Sequence, residues 1–486
     1  MIVDMAALTS VPVNALPYER FAEVLDPDRF AGFRAAADEG RRLLEGRVVW
    51  NVNSTARGGG VAEMLVSLLA YARGAGIDAR WEVIAGNEPF FHLTKRIHNN
   101  LHSAPGDGGD LGDAERKIYE DALAPNIAEF CALVSPDDVV IVHDPQPAGL
   151  IPPLKEMGVA VIWRCHVGID TPSDLSRRAW NFLKPYVEPA DAYVFSRRQF
   201  VWEGLDDDKI ELIAPVIDAF SPKNQELDPD TVGAILRVAG LNDDGSTGAP
   251  TFTREDGSPG RVERSATTLE GRMLRPDDPV VLQVSRWDRL KDPLGVIRGF
   301  VDHVAPTTDA HLVYAGPAVE AVADDPEGKE VLQEAQAYFG QLDAEAKDRV
   351  HLTALPMDDL AENAAIVNAL QRRADVIVQK SIAEGFGLTV AEGMWKARPV
   401  VASRIGGIQD QIIDGETGIL LDDPTDLAAY GAAVRGLLED PEAARRMGQA
   451  AMARVRDEFL AVRSLMQYLN LMEKLLKATS DVGAAD

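Results

Sequence analysis

The chain has 486 residues, 46 % hydrophobic and 26 % charged, which calls for two or three domains and fits a globular rather than a disordered protein. Its 49 Lys and Arg against 77 Asp and Glu leave a formal charge of −28, a field that repels nucleic acid and anionic lipid. The cysteines, Cys131 and Cys165, are too few for a disulfide framework, and no stretch reaches the roughly 18 uninterrupted apolar residues of a spanning helix. A soluble, cytoplasmic protein is expected, with neither signal peptide nor membrane span.

Along the chain, short apolar runs rich in β-branched and aromatic residues alternate with stretches of helical period. Residues 47–52, 138–142, 159–164 and 192–196 read as buried strands, with helix-like segments such as 61–73 between them. A second series follows at 279–285, 311–315, 350–353, 375–379 and 399–403. This alternation predicts an α/β protein with two Rossmann-like, doubly wound parallel-sheet domains. The segment 213–224 carries two prolines and no helical period, and reads as the hinge between them. The expected division is 1–215, 216–465, and a C-terminal helix over 466–486 returning to the N-terminal domain. Residues 242–265 are dense in Gly, Asp, Ser and Thr, and predict a flexible surface insertion unable to bury enough surface to fix itself.

In open parallel sheets, ligands bind beyond the carboxyl ends of the strands, so the residues following each strand are the candidates. After 47–52 come Asn53 and then Gly58, Gly59 and Gly60, leading into a helix; glycines admit close backbone approach, although glycine-rich strand-to-helix turns are also common. After 138–142 come His143 and Asp144, and after 159–164 come Cys165 and His166. Adjacent strand residues face opposite ways, so Cys165 is a packing residue and no Cys–His nucleophile pair is expected. His98 and His102 stand one helical turn apart without a companion carboxylate or thiol at ligand spacing, which disfavours a metal site.

The second half carries more specific features. Arg286 and Lys291 follow strand 279–285 at a helix start, an arrangement suited to a pyrophosphate and notable in so acidic a chain. Strand 375–379 leads to Glu384, then Gly385, Phe386 and Gly387, and a helix with Leu388, Thr389 and Glu392. Were the whole stretch helical, the two glutamates would lie about 80° apart. With Glu384 on the loop and Glu392 in the helix, both can face one crevice towards which the amides of 385–389 point. Carboxylates accept hydrogen bonds from sugar hydroxyls while amides and cations take phosphates, so the set suits a nucleotide sugar.

The Glu384–Glu392 pair, with Arg286 and Lys291 upstream, resembles the donor site of retaining GT-B glycosyltransferases. Asn53–Thr55 with Gly58–Glu63, the Trp81–Gly86 and Phe90–Asn99 stretches, His143–Pro147, Trp163–His166, Ile217–Asp218, Lys223–Asn224 and Asp324–Gly328 are similar to trehalose glycosyltransferring synthases, over roughly residues 45–475. The resemblance implies two Rossmann-like domains facing across a cleft, and transfer of glucose from a nucleoside-diphosphate glucose to glucose with retention, giving α,α-trehalose. It implies that Arg286 and Lys291 hold the diphosphate, that Glu384 touches the donor sugar and Glu392 the ribose, and that His166 lies near the anomeric carbon. Gly385–Thr389 would line the donor site, and Asn53, Gly58–Gly60 and Asp144 the acceptor side. It further implies small-molecule partners, a homodimer, no tightly bound cofactor or protein-held metal, and Mg2+ only as a companion of the nucleotide. The two carboxylates would serve binding rather than nucleophilic attack, unlike the flanking pair of a glycoside hydrolase. The 242–265 insertion and Val167–Gly168 depart from the family pattern. A retaining trehalose phosphorylase, a transferase to another small acceptor, and a non-catalytic nucleotide-sugar-binding regulator are the alternatives.

Overall fold

The computed structural model describes residues 8–56, 60–242, 245–319 and 326–483. The chain divides into two compact units, one comprising Met1–Val216 with Ala461–Asp486 and the other Ile217–Leu460.

The first unit runs β1 (Leu8–Ser10), α1 (Pro27–Leu43), β2 (Val48–Asn53), α2 (Gly60–Gly74), β3 (Asp78–Ile84), α3 (Glu88–Leu101), α4 (Asp113–Leu133), β4 (Val139–His143), α5 (Ile151–Glu156), β5 (Ala160–Cys165), α6 (Asp174–Val187), β6 (Ala192–Phe195) and β7 (Ile210–Leu212). Its sheet has the order β1-β3-β2-β4-β5-β6-β7, with every pair parallel except β1 with β3. Strands buried on both faces read as continuous apolar runs, which is why β4 and β5 stand out in the sequence. One face, through Val140, Val142, Val161 and Trp163, packs under α3, α4 and α6.

The second unit continues with α7 (Pro229–Val238), β8 (Thr251–Thr253), β9 (Pro259–Arg261), β10 (Thr267–Leu269), β11 (Val280–Val284), α8 (Pro293–His303), β12 (His311–Pro317), α9 (Pro326–Gln341), α10 (Ala344–Arg349), β13 (Val350–Leu355), α11 (Leu360–Arg373), β14 (Val376–Gln379), α12 (Leu388–Trp395), β15 (Val400–Ser403), α13 (Ile408–Gln411), β16 (Ile419–Leu421), α14 (Leu427–Glu439) and α15 (Pro441–Glu458). Its sheet order, β10-β13-β12-β11-β14-β15-β16, repeats the plan of the first, with one antiparallel edge strand on a parallel sheet. The chain then re-enters the first unit as α16 (Ala461–Gly483), whose Tyr468, Leu471 and Met472 cover Val49, Ile141, Ile162 and Val194 on the other face of that sheet.

In each sheet the strand order reverses at one place, between β2 and β4 and between β11 and β14. Crossovers leave these neighbours in opposite directions and open a crevice at their carboxyl ends. Asp144 and His166 of the first unit, and Lys291 and Glu384 of the second, follow strands at or next to these two points.

The segment expected as a flexible insertion is instead built into the second unit, apart from residues 243–244, which lie outside the described residues. β8 and β9 pair antiparallel, and Phe252 and Val262 are buried. Arg254 makes a two-pronged pair with Asp359 at 2.6 and 3.1 Å, and Glu362 of α11 accepts from the amides of Glu263 and Arg264. Local composition missed this because the fastening groups, Asp359 and Glu362, lie about 100 residues further along the chain.

Candidate functional site

The first-unit cluster stands on the ends of β2, β4 and β5. Asp144, immediately after β4, adopts φ 65°, a left-handed conformation that Asp tolerates better than most residues. This turn lets Oδ1 accept from the His166 amide at 2.7 Å, while the Asp144 carbonyl accepts from Trp163 Nε1. Burial pushes the Asp144 carboxyl up to about 7, against the opposing pull of the His166 amide and the Arg164 charge. His143 Nδ1 lies 3.1 Å from His166 Nε2, and His143 Nε2 lies 3.0 Å from Asn51 Oδ1. Burial, reinforced by Arg164, pulls His143 down to about 3 and His166 well below the ordinary imidazole value, so both rings are neutral at physiological pH. Arg164 is 1 % exposed, donates to Ser196 Oγ, and has Nε and Nη1 buried with no partner among the described residues.

His166 and Asp144 are thus brought together, whereas Asn53 turns to scaffolding. Its Oδ1 accepts from Trp81 Nε1 at 2.9 Å and its Nδ2 donates to the Thr55 carbonyl at 2.8 Å, which fixes the start of the turn. Gly60 opens α2; Gly58 and Gly59 lie outside the described residues, as do Asp324 and Asp325, while Pro326–Gly328 begin α9. Cys165 is fully buried with Sγ against the Val167 carbonyl, in keeping with a packing role.

The second-unit cluster stands on β11 and β14. Lys291 Nζ and Glu384 Oε2 form an ion pair, and beside it Lys380, fully buried, pairs with Asp292. Asp292, at φ 49°, also caps α8 by accepting from the Gly295 amide. Gln283 ties the two cation-bearing segments together: its Nε2 donates to the Lys291 carbonyl at 2.9 Å, and its Oε1 accepts from the Lys380 amide at 3.2 Å. Gln379 holds Thr389 Oγ1 at 2.9 Å, fixing α12 against β14. Gly387 takes φ 79° at the start of α12, a conformation that favours glycine. Phe386 buries its ring near Phe459, and its carbonyl accepts from Gln411 Nε2 at 2.6 Å. Gly385 is unobstructed, and Leu388 and Thr389 form the first turn of α12.

Glu392 is 4 % exposed, 3.6 Å from Lys223 and 3.5 Å from Gln371, so it is paired separately from Glu384. Arg286 projects into solvent with 66 % of its side chain exposed and pairs with Asp288 at 3.1 Å, apart from Lys291. Sequence reasoning missed Lys380, Gln283, Gln379, Asn51 and Arg164, all polar residues in or next to apolar strands. A charged or amide side chain interrupting a buried strand near its carboxyl end is the signal that would have found them.

The first unit matches the family description "Trehalose synthase, N-terminal domain" over residues 51–202, and the second matches "Glycosyl transferases group 1" over residues 269–454. A curated trehalose synthase from Rubrobacter xylanophilus is 38 % identical over 443 residues, 89 % of this chain and 92 % of the relative. The chain belongs to the trehalose synthase family of glycosyltransferases. Another member, from Pyrococcus horikoshii, is 36 % identical over 89 % of this chain and 91 % of its own length. The trehalose phosphorylase of Pleurotus pulmonarius is more distant, 26 % identical over 86 % of this chain and 56 % of its own length. The fold is GT-B: a UDP-forming α,α-trehalose-phosphate synthase from Burkholderia xenovorans matches with TM-score 0.64 at 15 % identity, over 88 % of this chain and 99 % of that one. Among the described residues of this family member, no helix is long and apolar enough to cross a membrane.

Proposed function

We propose that the protein transfers glucose from a nucleoside-diphosphate glucose to free glucose with retention, forming α,α-trehalose. The observation that carries this is the second-unit cluster. Lys291 and Lys380 are held by Gln283 at the strand-order reversal, with Glu384 beside them and the Gly385–Gly387 turn leading into α12. Cations meet a diphosphate, a carboxylate accepts from sugar hydroxyls, and the helix start adds free amides. Full-length likeness to trehalose synthases supports the acceptor and product.

In the proposed reaction the bond from the anomeric carbon to the β-phosphate oxygen breaks as the acceptor hydroxyl oxygen bonds to that carbon from the same face. The departing phosphate takes the hydroxyl proton. Lys291 and Arg286 stabilise the developing phosphate charge, Glu384 and Glu392 hold the donor's sugar and ribose, and His166 and Asp144 order the glucose side. The Lys291–Glu384 pair keeps the cation in position, and the diphosphate competes for it on binding.

The test is to incubate the pure protein with glucose and ADP-, UDP- or GDP-glucose, following nucleotide release and the disaccharide by NMR. An α,α-linked disaccharide appearing in step with nucleotide is the expected outcome and ranks the donors. Nucleotide release without disaccharide points to another acceptor. Phosphate-dependent release of glucose 1-phosphate from trehalose replaces the reading with a phosphorylase, and donor binding without any turnover replaces it with a regulator.

A further inference from the structure

The first-unit cluster contains a proton chain whose direction follows from one end. Asn51 presents its carbonyl oxygen to His143, 3.0 Å from Nε2, with its own Nδ2 buried and without a hydrogen-bond partner among the described residues; in this orientation the carbonyl oxygen only accepts, so Nε2 of His143 carries a hydrogen. His143 is buried, and beside it Arg164 carries a permanent charge with two donor nitrogens that find no partner, an environment hostile to a second proton. Its Nδ1 is therefore a bare acceptor. His166 Nε2 stands 3.1 Å away and must donate into it.

The ring geometry agrees. The two ring centres are 5.4 Å apart and the planes differ by 16°; at that separation a 3.1 Å N···N contact requires both nitrogens to lie on the line joining the centres. The rings meet end to end, as an in-plane N–H···N bond needs. His166 is neutral as well, so one hydrogen on Nε2 leaves none for Nδ1. That nitrogen has no hydrogen-bond partner among the described residues and is not a buried orphan. It is an open lone pair on a half-buried side chain beside Asp144.

We propose that Asn51 and His143 are positioning residues that hold His166 as its Nε2–H tautomer, so that Nδ1 is presented as a hydrogen-bond acceptor to a sugar hydroxyl. The sugar rests on the function proposed above; the tautomer does not. The Asn51 carboxamide is the element that sets the direction, because turning it over would reverse every hydrogen in the chain and make His166 a donor. A donor at that place would suit a carbonyl or phosphate oxygen, whereas a bare nitrogen selects a group that brings its own hydrogen. The charged and titratable groups around the chain are Arg164 and Asp144, the first repelling protons from both rings and the second engaged with the His166 amide.

The test is direct. The protein has eight histidines, so a 15N-histidine sample gives a tractable long-range proton–nitrogen spectrum, with His143→Gln and His166→Gln assigning the two spin systems. The expected spectrum shows His166 with Nε2 protonated and Nδ1 bare from pH 6 to 8. Asn51→Leu is expected to populate both tautomers and raise the KM for the sugar about tenfold with a smaller change in kcat, while Asn51→Asp, which keeps the acceptor, restores the Nε2–H form. A wild-type spectrum with hydrogen on His166 Nδ1, or an Asn51→Leu spectrum unchanged from wild type, overturns the proposal. If Asn51→Leu does not fold, the wild-type spectrum decides. An enzyme that shows the expected tautomer yet makes no disaccharide would refute the proposed function and leave the tautomer assignment standing.

Discussion

Gly406 offers a sharp way to move the donor-side turn without touching any group that would contact substrate. It sits at φ 46° in the loop after β15, and a Cβ built there would lie 1.9 Å from the Glu384 carbonyl oxygen and 2.8 Å from that of Gly385. Real Cβ contacts begin near 3.0 Å, so Gly406→Ala must drive the Glu384 peptide back by about 1.1 Å. The neighbouring Gly407 amide, which donates to the Gly385 carbonyl at 2.8 Å, would be dragged with it. A displacement of about 1 Å in a substrate-positioning group costs on the order of 100-fold in rate, or about 2.7 kcal/mol. Placing a side chain at positive φ adds more than about 1 kcal/mol of destabilisation. The assay is kcat/KM for the nucleotide sugar at fixed glucose, with Tm measured on the same sample. Gly436→Ala, inside α14 with nothing within 4 Å of its Cβ, serves as the control and should be neutral or stabilised by about 1 kcal/mol. A folded Gly406→Ala enzyme within threefold of wild type would refute the link between this loop and the donor turn.

Three further outcomes concern pH and the built-in hairpin. The Asp144 carboxyl is pushed up to about 7 by burial, so between pH 4 and 7 the folded chain retains a proton that the unfolded chain has released, and stability falls as pH rises through that window. Asp144→Asn should lack this fall in urea titrations at pH 5 and 7, and an equal fall in both proteins would count against it. Asp359 is held down to about 2, chiefly by the Arg254 side chain, so its contribution is present above pH 4 and lost as pH drops towards 2. Asp359→Asn is expected to cost about 1–2 kcal/mol at pH 7 and almost nothing at pH 2, read as the difference in unfolding free energy; a constant difference would contradict it. Lys396, buried and bonded to Asn224 Oδ1 at 2.9 Å, is pulled down to about 7 by burial, opposed by Glu392. Above pH 7 the unfolded chain binds a proton there that the folded one lacks, so stability rises towards pH 10, and Lys396→Met should flatten that rise by a few kcal/mol. The same slope in the variant would show that Lys396 does not titrate there.

The sequence is most readable where burial is two-sided. Strands β4, β5, β6, β11, β14 and β15 were located within a residue or two because a strand covered on both faces must be apolar throughout. β1, β7 and β10 are three-residue strands at or near sheet edges, too short to carry a period, and β3 alternates around Arg80 and Glu82. The candidate site was readable as a set of positions following strands, since Lys291, Glu384, Asp144 and His166 all fall there. Pairing was not. Nothing local to Lys291 marks Glu384 as its partner 93 residues away, and Asn53 gave no sign that Trp81 would take its carboxamide. Arg286 and Lys291 looked equivalent in spacing, but the turn that carries them leaves one in solvent and the other against a carboxylate.

The re-entry of α16 into the first unit has a consequence for how the protein is made. Tyr468, Leu471 and Met472 complete the apolar layer over Val49, Ile141, Ile162 and Val194, yet the ribosome supplies them only after the 244 residues of Ile217–Leu460 have emerged. At about 5–20 residues per second, the nascent first unit waits on the order of 10 to 50 seconds with that patch of its sheet uncovered, while α2 already packs beside it against Ala79 and Trp81. During that interval the second unit, whose sequence is continuous, can close on its own. The half synthesised first is therefore the half that finishes last, and the uncovered patch over Val49, Ile141, Ile162 and Val194 is where a chaperone would be engaged.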